Sequence, residues 1–167
     1  MGHIKTLHVI GFKNSGKTTL VSNWVRLAKE KGLNVAVLKH HGHGAKLAMP
    51  DETKDSMQYL LAGADASLVA GAGFTQHMLQ NELNYEQLLT LAKWQNPDVI
   101  LIEGYKAEAG EKVILVRNDE DWEDLQKVDD ISLVVGLGEA VHYDQIANRT
   151  EKTELDTWFA NWLQAED

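Results

Sequence analysis

Apolar positions along the chain fall into two periods. Ile4, Leu7, Val9 and Ile10 form a short run that reads as a buried strand, and from Thr18 onward Leu20, Val21, Trp24, Val25, Leu27 and Ala28 share one helix face. Lys31-Gly32 then suits a helix C-terminus, and Val35 to Leu38 predicts a second strand. Residues 53–63 predict a helix with Met57, Leu60 and Leu61 on one side, Gly63 as its stop, and Asp55 and Ser56 placed to cap its start. Ala66 to Ala70 reads as a strand ending in Gly71-Ala72-Gly73, with Phe74 to Leu79 as an antiparallel partner. Tyr85, Leu88, Leu89, Leu91 and Ala92 predict a helix ending before Asn96-Pro97. Val99 to Ile102 and Val113 to Val116 read as buried strands, Ile131 to Val135 as the last one. Leu155, Trp158, Phe159, Trp162 and Leu163 mark a C-terminal amphipathic helix whose tryptophans suit packing in a core or between subunits.

Between the first strand and the first helix lies Gly11-Phe12-Lys13-Asn14-Ser15-Gly16-Lys17-Thr18-Thr19, which fits G-x-x-x-x-G-K-[ST]. Strand, glycine loop and helix are the setting that this motif needs. Gly11 and Gly16 allow backbone conformations and approaches that a Cβ would block. Backbone N–H groups from Asn14, Ser15, Gly16, Lys17, Thr18 and Thr19 can then line an anion-binding concavity, reinforced by roughly half a positive charge at the helix N-terminus. Lys17 is expected to reach the β- and γ-phosphates and Thr18 to ligate Mg²⁺. The loop predicts a nucleoside triphosphate site. The expected fold class is α/β, a P-loop NTPase-like, mainly parallel sheet with helices on both faces, in a single nucleotide-binding domain over residues 1–167.

Composition narrows the function. The net charge of −9, with no cluster of lysine or arginine, argues against a nucleic-acid partner. The absence of cysteine rules out disulfides, thiolate zinc sites and thiol catalysis, and suits a reducing cytoplasm. No apolar run is long enough to span a membrane.

Further chemistry gathers at the strand ends. Glu103 follows a buried strand, where it can hold Mg²⁺ or orient water; Lys17 and Glu103 are thus the candidate catalytic pair, with Thr18 and Glu103 on the metal side. Lys39, His40, His41 and His43 follow the second strand and can meet phosphate, a transition metal or a partner's acidic group. Asn118 and Asp121 match the ends of the guanine-reading Asn-Lys-x-Asp pattern, with Asp119 in place of the lysine. The same stretch, Asp119 to Asp124, also reads as a solvated acidic turn.

Taken in order, Gly11 to Leu20, Lys39-His40 with further histidines, Lys54-Asp55-Ser56, Ala62-Gly63-Ala64 and Glu103-Gly104-Tyr105-Lys106 resemble the MobB-type proteins, P-loop GTP-binding proteins of molybdenum cofactor biosynthesis. The resemblance spans roughly positions 4 to 117. It implies GTP and Mg²⁺ as cofactors, weak hydrolysis at most, a homodimer, and partnership with the transferase that forms molybdopterin guanine dinucleotide. The chain departs from that pattern at Gly44-Ala45-Lys46 and at Asp51-Glu52-Thr53, where the family commonly has an aspartate and a Pro-Gly. Two other readings remain open: a small-molecule kinase using ATP, and a GTP-dependent metallochaperone using the histidine loop.

Overall fold

A computed structural model describes residues 4–41, 47–136 and 152–165, together with the backbone of 146–148. Contacts group the chain into two compact units, Met1–His40 with Leu88–Asp167, and His41–Gln87.

The first unit is built on six parallel strands: β1 (Lys5–Gly11), β2 (Val35–Lys39), β5 (Val99–Glu103), β6 (Lys112–Leu115), β7 (Ile131–Gly136) and β8 (Ile146–Asn148). Their order is β2-β5-β1-β6-β7-β8. The pleat sends alternate side chains to opposite faces. Leu7, Val9, Val99, Leu101, Val113, Leu115, Leu133 and Val135 meet α1 (Lys17–Glu30) and α5 (Lys152–Gln164). Ile10, Ile114, Val116 and Val134 meet Trp122 and Leu125 of α4 (Asp119–Leu125). The helices therefore cover both faces, as expected.

Aromatic side chains fasten α1 to α5. Phe159 is fully buried and stacks on Trp24 at 4.7 Å, with Trp162 stacked on Phe159 at 5.8 Å and Trp158 on Trp24 at 5.8 Å. The tryptophans thus serve the core, and Trp162 also accepts Lys5 over its ring and donates its indole N–H to Glu111.

The second unit contains α2 (Asp55–Leu61) and the antiparallel pair β3 (Ala66–Gly71) and β4 (Phe74–Leu79), a two-stranded sheet separate from the parallel one. The strands join through Ala72 and Gly73, both at positive φ, the conformation that a two-residue hairpin turn with the right twist demands. Met57 and Leu60 pack on Met78. Asn84 and Gln87 exchange side-chain and backbone hydrogen bonds at the start of α3 (Tyr85–Lys93), a reciprocal cap.

Three expectations need correction. Asp119 to Asp124 is not an acidic turn but most of α4, because Asn118 caps its N-terminus and three acids in the first turn oppose the helix dipole favourably. Ile131–Gly136 is not the last strand, since β8 pairs beyond it through only three residues, too few for a periodic signal. Neither Asp55 nor Ser56 caps α2: Lys54 occupies the cap with no side-chain bond, while Asp55 lies in the first turn and Ser56 is buried. Among the described residues, no helix is long and apolar enough to cross a membrane.

The stacked aromatic column predicts a stability effect. Phe159→Ala should lower unfolding free energy by about 3–5 kcal/mol, seen as a lower urea midpoint, because a fully buried ring leaves a cavity beside the indoles that it contacts. An unchanged midpoint would show that α5 is not fastened there.

Candidate functional site

The loop after β1 takes its shape from two glycines and one asparagine. Gly16 (φ 92°) and Asn14 (φ 63°) are left-handed, and Gly16 precedes α1 without offering a side-chain cap. The N–H groups of the first helical turn therefore have no intrahelical acceptor and suit an anion. A Cβ on Gly11 would stand 2.5 Å from the Ser15 hydroxyl and 2.9 Å from the Leu115 carbonyl, so only glycine fits between the loop and β6. Ser15 is itself buried.

Lys17, the first residue of α1, folds back over the loop and donates to the carbonyls of Gly11 and Phe12, both at 2.7 Å. Burial holds its pKa below the ordinary lysine value; Glu103 opposes that shift, and Lys39 and Arg117 add to it.

Sheet register delivers the acid. Glu103, at the carboxyl end of β5, pairs with Val9 of β1 and Lys39 of β2. Its carboxylate is largely buried, accepts from the Thr18 hydroxyl at 3.0 Å and meets the Lys39 ammonium at 3.1 Å. Lys39 also donates to the Thr18 hydroxyl at 3.3 Å. Thr18, Glu103 and Lys39 thus form a closed triangle beside the glycine loop. Oxygen donors of this kind, a hydroxyl and a carboxylate, are those that suit Mg²⁺.

The chain turns sharply after Glu103. Gly104 has φ 99°, and a Cβ there would come within 3.0 Å of His40 Cβ. The His40 N–H donates to the Glu103 carbonyl at 2.9 Å, and its ring lies 4.9 Å from that of Tyr105. His8 secures the same turn from below: fully buried in β1, it donates from Nδ1 to the Gly104 carbonyl at 3.3 Å.

Sequence reasoning missed Arg117. Its guanidinium donates through Nε and a terminal nitrogen to both Asp121 oxygens (2.7 and 2.8 Å) and to the Lys13 carbonyl at 3.0 Å. It also lies over the Phe12 ring. Asp121 is 4% exposed, and hydrogen bonds from Arg117 hold its carboxyl below the usual aspartate value. Asn118 accepts from the Asp121 N–H as the cap of α4. The signal was present in the spacing, because Arg117 and Asp121 are four residues apart across a helix start.

The structure therefore brings together Gly11, Asn14, Ser15, Gly16, Lys17, Thr18, Thr19, Lys39, His40 and Glu103, with Asn118 and Asp121 at the neighbouring end of β6. His41 and Asp55 belong to the second unit, and His43 lies outside the described residues.

A pH effect follows from His8. Burial is the main cause of its lowered pKa, with the Gly104 carbonyl opposing. The unfolded chain binds this proton near the ordinary value of 6.5 and the folded chain only at lower pH, so the contribution is full above about 6.5 and is lost as pH falls through the folded value. Urea midpoints should fall between about pH 7.5 and pH 5.5, and His8→Gln should flatten that slope. Parallel slopes for the two proteins would count against a buried neutral His8.

The profile of the family described as Molybdopterin guanine dinucleotide synthesis protein B (MobB) matches residues 6–136. A Bacillus subtilis protein named "Probable molybdopterin-guanine dinucleotide biosynthesis adapter protein" is 38% identical over 128 residues, covering 77% of this chain and 74% of its own length. An Escherichia coli adapter protein of the same biosynthesis is 29% identical over 119 residues, 69% of this chain and 67% of its own. The crystal structure of Bacillus subtilis MobB superposes with a TM-score of 0.81 at 32% identity, covering 94% of this chain and 97% of that one. The MobB homologue of Bacillus stearothermophilus gives 0.78 at 31%, covering 96% and 99%. With the glycine loop, the parallel sheet and the buried strand-end acid all in place, the chain belongs to the MobB family.

Proposed function

We propose that this chain is a GTP-binding adapter in the synthesis of molybdopterin guanine dinucleotide, working in the cytoplasm as a homodimer beside the transferase that forms the dinucleotide. The observation that carries the nucleotide reading is the triangle of Thr18, Glu103 and Lys39 set against a glycine loop whose helix start lacks a side-chain cap. The names of the relatives support the biosynthetic role.

The loop N–H groups would hold the phosphates, and Lys17 would exchange the Gly11 and Phe12 carbonyls for β- and γ-phosphate oxygens. Thr18 and Glu103 would hold Mg²⁺, which would supply neutralisation of phosphate charge. Lys39, whose ammonium now neutralises Glu103, is placed to turn to the terminal phosphate.

Hydrolysis by this arrangement is slow. Among the described residues, Arg117 is the arginine next to the loop, and it is committed to Asp121 and the Lys13 carbonyl. A mobile arginine accounts for about 10³–10⁵ of the rate in fast phosphate-loop hydrolases.

Calorimetric titration of the whole chain with GTP and with ATP, each with Mg²⁺, tests this reading. GTP should bind more tightly, and Lys17→Ala should weaken it roughly tenfold or more, as expected for lost charged hydrogen bonds. The far-ultraviolet spectrum should stay unchanged. Equal affinity for both nucleotides, or indifference to Lys17→Ala, would defeat the proposal.

A further inference from the structure

The site has a direction. Thr18, Glu103 and Lys39, the groups suited to Mg²⁺ and the terminal phosphate, lie on the β5–β2 side of β1. A triphosphate seated on the loop with its γ end there must release its nucleoside on the opposite side, above β6 and β7. Among the described residues, two places lie there. One is the turn carrying Asn118 and Asp121; the other is a cavity between α1 and α5.

The turn is already engaged. Both Asp121 oxygens accept from Arg117, its backbone N–H is taken by Asn118, and the residue is nearly buried. Reading a base there would cost the Arg117–Asp121 ion pair and the Arg117 bond to the loop at Lys13.

The cavity is open and of suitable build. It measures about 280 Å³ and begins at Gly16 and Thr19, beside the phosphate loop. Buried Leu20, Leu115, Val135 and Leu155 supply apolar walls that can hold the faces of a flat ring. Its polar groups are Thr19, Asn23, Lys152 and Asp156, with an Asn23 Nδ2 to Asp156 Oδ1 hydrogen bond of 2.5 Å. Among the described residues, Asp156 Oδ2 accepts no hydrogen bond, so the carboxylate retains acceptor capacity. Apolar walls with a few polar groups are the general build of a small-molecule pocket.

We infer that the α1–α5 cavity is the nucleoside seat and that Asp156 reads the base, accepting from N1–H and N2–H of guanine. The Asn118–Asp121 turn keeps a different task, anchoring Arg117 against the loop. An adenine edge offers no N1–H and no N2–H, so a carboxylate acceptor favours guanine. This inference rests on the GTP-binding reading and adds to it the seat and the reading residue.

Xanthosine triphosphate is the discriminating probe, because its base replaces the N2 amine by a carbonyl. The whole chain, Asp156→Asn and Asp121→Asn are each titrated with GTP and with xanthosine triphosphate in the presence of Mg²⁺. Asp156→Asn should bind GTP roughly tenfold or more weakly and gain xanthosine triphosphate, since its amide can donate to the new carbonyl. Asp121→Asn should keep the wild-type preference. Photolabelling of the unaltered chain with 8-azidoguanosine triphosphate gives a reading independent of any variant, with the label expected on α1 or α5 peptides.

A switch of preference in Asp121→Asn, or label confined to residues 117–125, would overturn the inference while leaving GTP binding intact. Asp156→Asn with unaltered selectivity would do the same. Wild-type chain that binds no GTP would remove the underlying proposal along with it.

Discussion

Glu103 can reach Thr18 only because β5 sits between β2 and β1 in one particular register. Its pairing with Val9 and Lys39 puts Glu103 on the same face as Leu101 and Val99, the face on which α1 packs. A slip of one residue would turn Val99 and Leu101 out of that core and bring Ile102 to the phosphate loop. The burial of several aliphatic side chains therefore fixes the position of a single carboxylate. The acid needs no stabilising contribution of its own to stay in place, which matters because burying a carboxylate is unfavourable unless it is paired. Thr18 and Lys39 provide that pairing.

On the other side of β1, packing again sets the chemistry. Gly11 must be glycine because the Ser15 hydroxyl and the Leu115 carbonyl occupy the space of a side chain, so the loop is pressed against β6. Arg117, just beyond β6, extends that contact by bonding the Lys13 carbonyl and lying over Phe12. Asp121 holds Arg117 in this pose, and Asn118 caps the helix that carries Asp121. The residues that resemble a base-reading motif in sequence form, in space, a brace from α4 to the phosphate loop. The two sides of the loop differ accordingly: one is held by a carboxylate and an ammonium suited to charge, the other by a rigid arginine contact.

Legibility in the sequence followed the physics of each feature. The phosphate loop, α1, β5 with its terminal acid and the C-terminal helix were all readable, since each combines an apolar period with a fixed chemical position. The role of Lys39 was only half readable: its place at a strand end was clear, but its pairing with Glu103 depends on β2 lying next to β5, a neighbour distant in sequence. Helix α4 was hidden because acids dominate its composition, and their benefit there comes from the helix dipole and the Asn118 cap rather than from an apolar stripe. Arg117 and the α1–α5 cavity were invisible for a related reason. Each is assembled from side chains that share no local pattern, such as Asn23 with Asp156 or Arg117 with Lys13.

The charge distribution ties these parts together. The whole chain carries −9, yet Lys17, Lys39 and Arg117 act on one another closely enough that the latter two lower the pKa of the first. Burial is the larger cause of that lowering and Glu103 opposes it, while Lys39 and Arg117 are themselves paired with Glu103 and Asp121. A polyanion on the loop would add an attractive Coulomb interaction with each of these cations. A fold that depends on aliphatic register for its stability can tolerate a partly buried ammonium at the loop, whose lost hydration a phosphate there would offset.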